Sequence, residues 1–240
     1  MRTLKDLSIV LMGASGGIGS ATAMQIAAPA VKMSLCSIDA PGLETLTQAL
    51  MKKGATVFSR LVDVTREEKV KSFLDDVATQ FGTIDILVNF AGLSVSAKVQ
   101  DLTEDQYDLV MDVNVKGMFL PIKHALGHMD EEKGALVINF GSMAAKRANP
   151  AAPHYSAAKA AVNLFSEGLA QQLKAKNVRL TVINPGPTDT NFFEGRIPKE
   201  KRTKFMQASD VAEMLEFIMT RDSRIVYHDV MFECFEFFKG

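Results

Sequence analysis

Short apolar runs alternate with longer stretches of helical period along nearly the whole chain. Ser8–Met12 is a run of five, followed by glycines and then an Ala-rich, helix-like segment, Ser20–Ala28, that stops at Pro29. The same alternation continues. Met33–Ser37, Thr56–Leu61, Ile84–Val88, Ala135–Phe140 and Arg179–Ile183 read as strands, with a last one near Ile225–Phe232. Between them Pro41–Lys52, Arg66–Phe81, a long Thr103–Met129, a segment from Tyr155 to about Lys176 and Ser209–Thr220 read as helices. The early strands are continuously apolar rather than alternating, the pattern of strands buried on both faces. Strand–helix repetition of this kind implies right-handed βαβ units and an α/β fold: a Rossmann-like, doubly wound parallel sheet of about seven strands with helices on both faces.

Composition changes this picture little. The chain has 240 residues, of which 47% are hydrophobic and 23% charged, with a net charge of −1. That length suits one domain over residues 1–240, and no repeat or low-complexity linker divides it. The charge balance offers no basic field for nucleic acid or an anionic membrane. The N-terminal apolar run is too short and too broken by glycine for a membrane span or a signal peptide. Two cysteines, Cys36 and Cys234, have no metal-type spacing and make no disulfide framework, so no metal site is expected and a cytoplasmic location fits.

Candidate chemistry gathers at the carboxyl ends of the strands, where such sheets bind ligands. Gly13-Ala14-Ser15-Gly16-Gly17-Ile18-Gly19 lies between a strand and a helix. In that setting glycines permit a tight turn and close approach of backbone to a pyrophosphate, and the helix start supplies free N–H groups and partial positive charge. Tyr155 and Lys159 are four residues apart, on one helix face, and Ser142 precedes the tyrosine by 13 residues. A phenol ionises near pH ~10, and a neighbouring ammonium lowers that value, which suits the phenol to general acid–base catalysis. An ordinary surface Tyr and Lys would show the same spacing, so the pair gains weight only from its surroundings.

Those surroundings resemble the short-chain dehydrogenase/reductase family over nearly the whole chain. The matching pieces are Gly13-x-x-x-Gly17-x-Gly19, Asp63-Val64, Asn89-x-Ala91-Gly92, Asn114, Ser142, Tyr155-x-x-x-Lys159, and Pro185-Gly186 with Thr188 and Thr190. The resemblance implies an oxidoreductase that interconverts an alcohol and a carbonyl compound with NAD(H) or NADP(H). It implies that Tyr155 exchanges a proton with the substrate oxygen and that Lys159 lowers the phenol's pKa and binds ribose. Ser142 would steady the substrate oxygen, and Asn114 would order a water that leads from the lysine to solvent. For the cofactor it implies a cradle of Gly13, Ser15, Gly17, Ile18 and Gly19. Asp63 and Val64 would meet the adenine, and Asn89 would brace the strands beneath Ala91 and Gly92. Pro185, Gly186, Thr188 and Thr190 would face the carboxamide. Two positions depart from the family pattern: Met12 replaces the usual threonine, losing a bond that ties the loop down, and Phe90 replaces the second asparagine.

Asp39 follows Gly19 by 20 residues, where an acidic side chain binds the 2′-hydroxyl of NAD and repels the phosphate of NADP, so NAD(H) is favoured. The substrate pocket is expected from Leu93–Ser96, Ala144–Pro153 and a loop over about 186–207. That loop carries Phe192 and Phe193 and then Lys199, Lys201, Arg202 and Lys204, which form either a basic rim for an acidic substrate or a solvated face. His154 is read as a loop residue without a catalytic part. The aromatic end, Met231 to Phe238, is either core or a patch covered by another subunit of a homodimer or homotetramer. The substrate, a small-molecule alcohol or carbonyl compound, is left open, a 3-oxoacyl thioester included. A cofactor-sensing or scaffold protein without turnover is the competing reading.

Overall fold

A computed structural model describes residues 3–238. Seven strands form one wholly parallel sheet: β1 (Ser8–Met12), β2 (Lys32–Ser37), β3 (Thr56–Leu61), β4 (Ile86–Asn89), β5 (Ala135–Phe140), β6 (Val178–Pro185) and β9 (Asp229–Phe232). Their order is β3-β2-β1-β4-β5-β6-β9. The sheet thus grows outward from β1 in one direction, and the chain then crosses back to lay β4 on the other side of β1.

Residues of each central strand alternate between two cores. Ile9 and Leu11 of β1, Ile86 and Val88 of β4, and Leu136 and Ile138 of β5 pack with α1 (Gly17–Ile26), α2 (Ala40–Lys52) and α7 (Ala208–Met219). Val10, Met12, Leu87, Val137, Leu180 and Val182 face α3 (Glu67–Phe81), α5 (Gly117–Ala125) and α6 (Pro153–Leu173). Two apolar faces are the physical reason for unbroken apolar runs in β1, β4 and β5, each buried at every position. β3 departs from that expectation because it is an edge strand, and its burial is only partial.

Several boundaries differ from the sequence reading. The expected long helix is broken: α4 (Glu104–Met111) passes through a π turn over Asp112–Lys116 into α5, and Leu126–His128 ends as 3₁₀. A π turn inserts a residue into the ladder and reorients the next helical turn, and such turns gather at functional sites. The fourth strand is assigned from Ile86, and Asp85 just before it already bonds both neighbours: its N–H donates to the Ser8 carbonyl at 3.0 Å, its carbonyl accepts from the Leu136 N–H at 3.0 Å, and its carboxylate accepts from the Ser8 N–H at 2.8 Å. The last strand shrinks to Asp229–Phe232, and a short α8 (Phe235–Phe238) comes after it. The expected loop over 186–207 is partly built: β7 (Thr188–Asp189) pairs with β8 (Met206–Gln207), with 3₁₀ turns at Asn191–Phe193 and Lys199–Lys201.

At the crossover between β1 and β4 the two strand ends nearly touch. Gly13 has φ of +85°, and a Cβ there would sit 2.8 Å from the Ala91 N. Gly82, at the end of α3, has φ of +87° with nothing within 4 Å. Both glycines take a conformation that costs an L-residue about 1 kcal/mol or more, but only Gly13 is also sterically enclosed. Gly82→Ala should therefore cost about 1–3 kcal/mol from backbone strain, and Gly13→Ala, which adds the collision with Ala91, more. Urea unfolding of the two variants checks the order, and equal costs would show that the Ala91 contact is not a constraint.

Candidate functional site

The crossover opens a cleft of about 1010 Å³ at the carboxyl edge of the sheet. Its floor is the glycine turn and the first turn of α1. Gly13, Gly17, Ile18, Gly19, Gly92, Ser142, Tyr155, Lys159, Pro185, Gly186, Thr188 and Thr190 all line it, which brings together residues scattered across the sequence. No side chain caps α1. A Cβ on Gly17 would meet the Thr190 side chain at 2.5 Å, so the loop after β6 closes over the helix start. The threonine missing at Met12 is not needed to hold the turn. Gly13 and Ala14 donate to the Cys36 carbonyl at 2.9 and 2.8 Å, and Phe90 and Ala91 donate to the Met12 carbonyl.

Other expected residues stand behind the cleft rather than on it. Asn89 donates to Asn139 Oδ1 at 2.8 Å, and Asn139 in turn donates to Ser166, tying β4, β5 and α6 together. Ala91 and Val64 support the wall, Val64 packing where Gly117 has no side chain. Asp63 turns back on its own loop and accepts from the Thr65 N–H at 2.9 Å and hydroxyl at 2.7 Å. Ser15 hydrogen-bonds Ser37 across 2.5 Å. Asp39 is exposed, and its carboxylate accepts from the Gly42 N–H at 3.2 Å as the N-cap of α2. It therefore serves the helix in this structure and does not line the cleft.

Three side chains define the reactive corner. Ser142 leaves β5 with its N–H donating to Asn184 Oδ1 at 2.8 Å. Asn184 is itself held by Asn163 and Asp229 at 2.9 and 2.7 Å. Gly141 has to be glycine because a Cβ would collide with Asn184. The Ser142 hydroxyl, which accepts from the Ala144 N–H at 3.1 Å, lies near enough to the Tyr155 hydroxyl to favour its ionised form. Lys159 is buried, its Nζ donates to the Phe140 carbonyl at 2.8 Å, and it stands 5.8 Å from the Tyr155 ring centre.

The electrostatics differ from the expectation drawn from spacing. Tyr155 is half-buried at the wall of the cleft, and the surrounding protein pushes the phenol up to about 12. The groups that pull it down are the Ser142 hydroxyl and the Arg196 charge, not Lys159. Burial drops the Lys159 ammonium from 10.5 to about 8. The lysine's proton is directed at a carbonyl rather than at the phenol, which is why the expected coupling is weak here.

Asn114 is buried on the π turn, not exposed on a helix. It donates to the Leu93 and Val110 carbonyls, both at 2.8 Å, and its Oδ1 has no hydrogen-bond partner among the described residues. A Cβ on Gly92 would lie 2.9 Å from that Oδ1 and 3.2 Å from Lys159 Nζ, so both polar atoms crowd one small gap. His154 is not a loop residue: it is buried in the first turn of α6 and does not line the cleft.

Sequence reasoning missed several lining residues. Phe90 packs on Phe140, ring centres 4.8 Å apart, and both face the cleft. Phe237 does too, which makes the aromatic C-terminus neither simple core nor simple patch. Lys199, Lys201 and Lys204 are exposed and do not line the cleft, as a solvated face would be. Arg202 is consumed by Asp189 at 2.7 Å and the Thr190 carbonyl at 3.1 Å. Within the 186–207 loop, the cation that does reach the cleft is Arg196. No periodicity marks it, because it sits in an irregular loop.

Comparison with known proteins points one way. The family model for short chain dehydrogenases matches residues 8–201. An uncharacterized oxidoreductase of Staphylococcus saprophyticus is 32% identical over 231 residues, 96% of this chain and 98% of that protein. Among solved structures, an alcohol dehydrogenase of the archaeon Thermococcus sibiricus complexed with 5-hydroxy-NADP is 26% identical, with a TM-score of 0.87 over 95% of this chain and 97% of that one. NAD+-bound xylitol dehydrogenase is 25% identical, with a TM-score of 0.88 over 97% and 100%.

A buried ammonium whose pKa is lowered destabilises the fold below its folded pKa, and the penalty fades as pH rises from about 8 to 10.5. Lys159→Met removes the penalty along with the bond to Phe140. A net gain of about 1 kcal/mol at pH 7 is expected, shrinking to nothing or reversing by pH 10. Thermal melts across that range check the sign; a variant less stable at pH 7 than at pH 10, relative to the parent, contradicts it.

Proposed function

The chain belongs to the short chain dehydrogenase family, and from that premise we propose a single-domain, NAD(P)(H)-dependent oxidoreductase that interconverts an alcohol and a ketone or aldehyde. The observation that carries the reading is the meeting of Ser142, Tyr155 and Lys159 at one end of a cleft whose other end is a glycine turn and an uncapped helix start.

The residues present fit a nicotinamide dinucleotide. Gly13, Gly17, Ile18 and Gly19 line the cleft at the start of α1, which no side chain caps, so its free amides suit a pyrophosphate. Gly92, Pro185, Gly186, Thr188 and Thr190 continue that surface toward Tyr155. When bound, the dinucleotide supplies or accepts the hydride. Asp39 stands close enough to the tip of β2 to favour NAD(H), since its charge disfavours a 2′-phosphate; it would have to keep its role as helix cap.

The protein's own groups handle the oxygen. Ser142 donates a hydrogen bond to the substrate oxygen and so stabilises the charge that grows there. Tyr155, protonated at neutral pH, gives its proton to that oxygen in reduction and takes it back in oxidation. Lys159 holds positive charge behind the phenol. Asn114 Oδ1, unpartnered beside the lysine among the described residues, provides an acceptor through which a water can reach it. The same reading includes a cytoplasmic location, supported by two free cysteines. It also includes a homodimer or homotetramer, supported by Leu164, Phe165 and Phe119, which are exposed on α5 and α6.

A panel of carbonyl compounds and alcohols, read by nicotinamide absorbance with both cofactors, tests the reading. Tyr155→Phe should lower kcat about a hundredfold or more on every accepted substrate without unfolding the chain; unchanged turnover would remove the tyrosine from the chemistry. The reduction rate should hold from neutral pH to well above 8, because the phenol that gives the proton stays protonated there and Lys159, whose charge changes near 8, is not among the groups that tune it. Oxidation needs the phenolate and should rise with pH. Parallel profiles for the two directions would contradict the assignment.

A further inference from the structure

Three arginines surround the substrate end of the cleft, and two are already neutralised. Arg147 pairs with both carboxylate oxygens of Glu233, at 2.6 and 2.5 Å, and Arg202 pairs with Asp189. Arg196 is different. Its guanidinium carbon lies 4.4 Å from the Phe192 ring centre and 5.6 Å from that of Phe193, and Nη1 donates to the Ser94 carbonyl at 3.3 Å. No carboxylate pairs with it among the described residues. No Asp or Glu lines the cleft there either. The two rings and the carbonyl fix the plane of the guanidinium and leave most of its five N–H donors for something else. It is also near enough to Tyr155 for the two to influence each other's ionisation.

The surface beside it is apolar. Tyr155, Phe192, Phe193, Phe205 and Phe237 form a chain of rings, successive centres 5.8, 5.2, 5.1 and 6.0 Å apart. An enzyme acting on a neutral compound would gain nothing from an uncompensated cation on such a wall, because its partial desolvation costs free energy. One guanidinium matches one carboxylate in charge and in planar, two-point geometry; it offers phosphate the same fork but leaves the second charge of a dianion uncompensated.

We propose that the substrate is an oxo acid or hydroxy acid with an aromatic or similarly bulky apolar body, its carboxylate bound by Arg196. The body lies along Phe192, Phe193, Phe205 and Phe237, with the reacting oxygen at Ser142 and Tyr155. The assignment rests on the oxidoreductase reading of the site. Arg196 acts as a specificity residue, recognising a group that does not react.

The test uses phenylglyoxylate, 3-oxo-3-phenylpropanoate and 4-oxo-4-phenylbutanoate, each against its methyl ester, with the intact protein and either cofactor. At least one acid should exceed its ester tenfold or more in kcat/KM. Arg196→Gln should reduce that preference below about threefold, mainly through KM, with dinucleotide affinity within about threefold; because the Arg196 charge also acts on Tyr155, acid and ester are compared within each variant, so that a change common to both cancels. Arg196→Lys should restore part of the preference. Esters accepted as well as acids, a preference that survives Arg196→Gln, or a loss confined to dinucleotide affinity would overturn the proposal. If no compound is turned over, the oxidoreductase reading is what has failed. Calorimetry with 4-phenylbutanoate on the dinucleotide-loaded protein then decides the inference separately: binding that weakens tenfold in Arg196→Gln upholds it, and absent or unchanged binding rejects it.

Discussion

An ammonium held under the sheet edge by a backbone carbonyl is the constraint on which the site depends. Lys159 has no carboxylate partner among the described residues; its Nζ donates instead to Phe140 at the end of β5. Placing a cation there without a counter-charge costs stability, and the fold tolerates it because the carbonyl is held rigidly in a central strand. The arrangement fixes the rest. α6 has to start at Pro153 so that residue 159 reaches β5, which also brings Tyr155 against Ser142. Gly92 has to lack a side chain so that Lys159 and Asn114 can share one gap. Charge placed at a cost to folding is common where a protein needs a group in a definite ionisation state.

The alternation of strands and helices was legible because both faces of the sheet are buried, so hydrophobicity marked nearly every strand. It failed where that condition fails. β3, at the edge, is polar and half-exposed yet is still marked by its β-branched and aromatic residues; the segment just before Asp229 has similar residues and lies outside any strand. The π turn left no trace, since α4 and α5 together keep a helical period and only the inserted residue, which carries Asn114 inward, changes the ladder. The pairing of β7 with β8 was hidden because two-residue strands are shorter than any pattern.

The candidate site divides the same way. Residues whose backbone makes the site, such as Gly13, Gly17, Gly92 and Gly186, were marked by type alone, since only glycine fits. Residues whose side chains make it were found where they sit at fixed helical or strand-end positions: Ser142, Tyr155 and Lys159. Of the aromatic wall, Phe192 and Phe193 were expected from the loop that carries them; Phe205, Phe237 and Arg196 were not, because they come together with those two only through tertiary contact. The charged stretch 199–204 drew attention by density, whereas the arginine that enters the cleft stands outside it. Spacing likewise suggested a lysine tuning a tyrosine, but which groups tune the phenol depends on where the lysine's protons point.

The row of rings from Tyr155 to Phe237 has a consequence for how this protein can change. Its far end belongs to the segment after β9, which adds no strand to the sheet and no group to the proton relay. Substitutions there reshape what the cleft admits while leaving the costly, tightly determined corner at β5 and α6 untouched. Selectivity and chemistry are thereby placed on parts of the chain that can drift independently, and divergence among close relatives should concentrate after Phe232, where β9 ends.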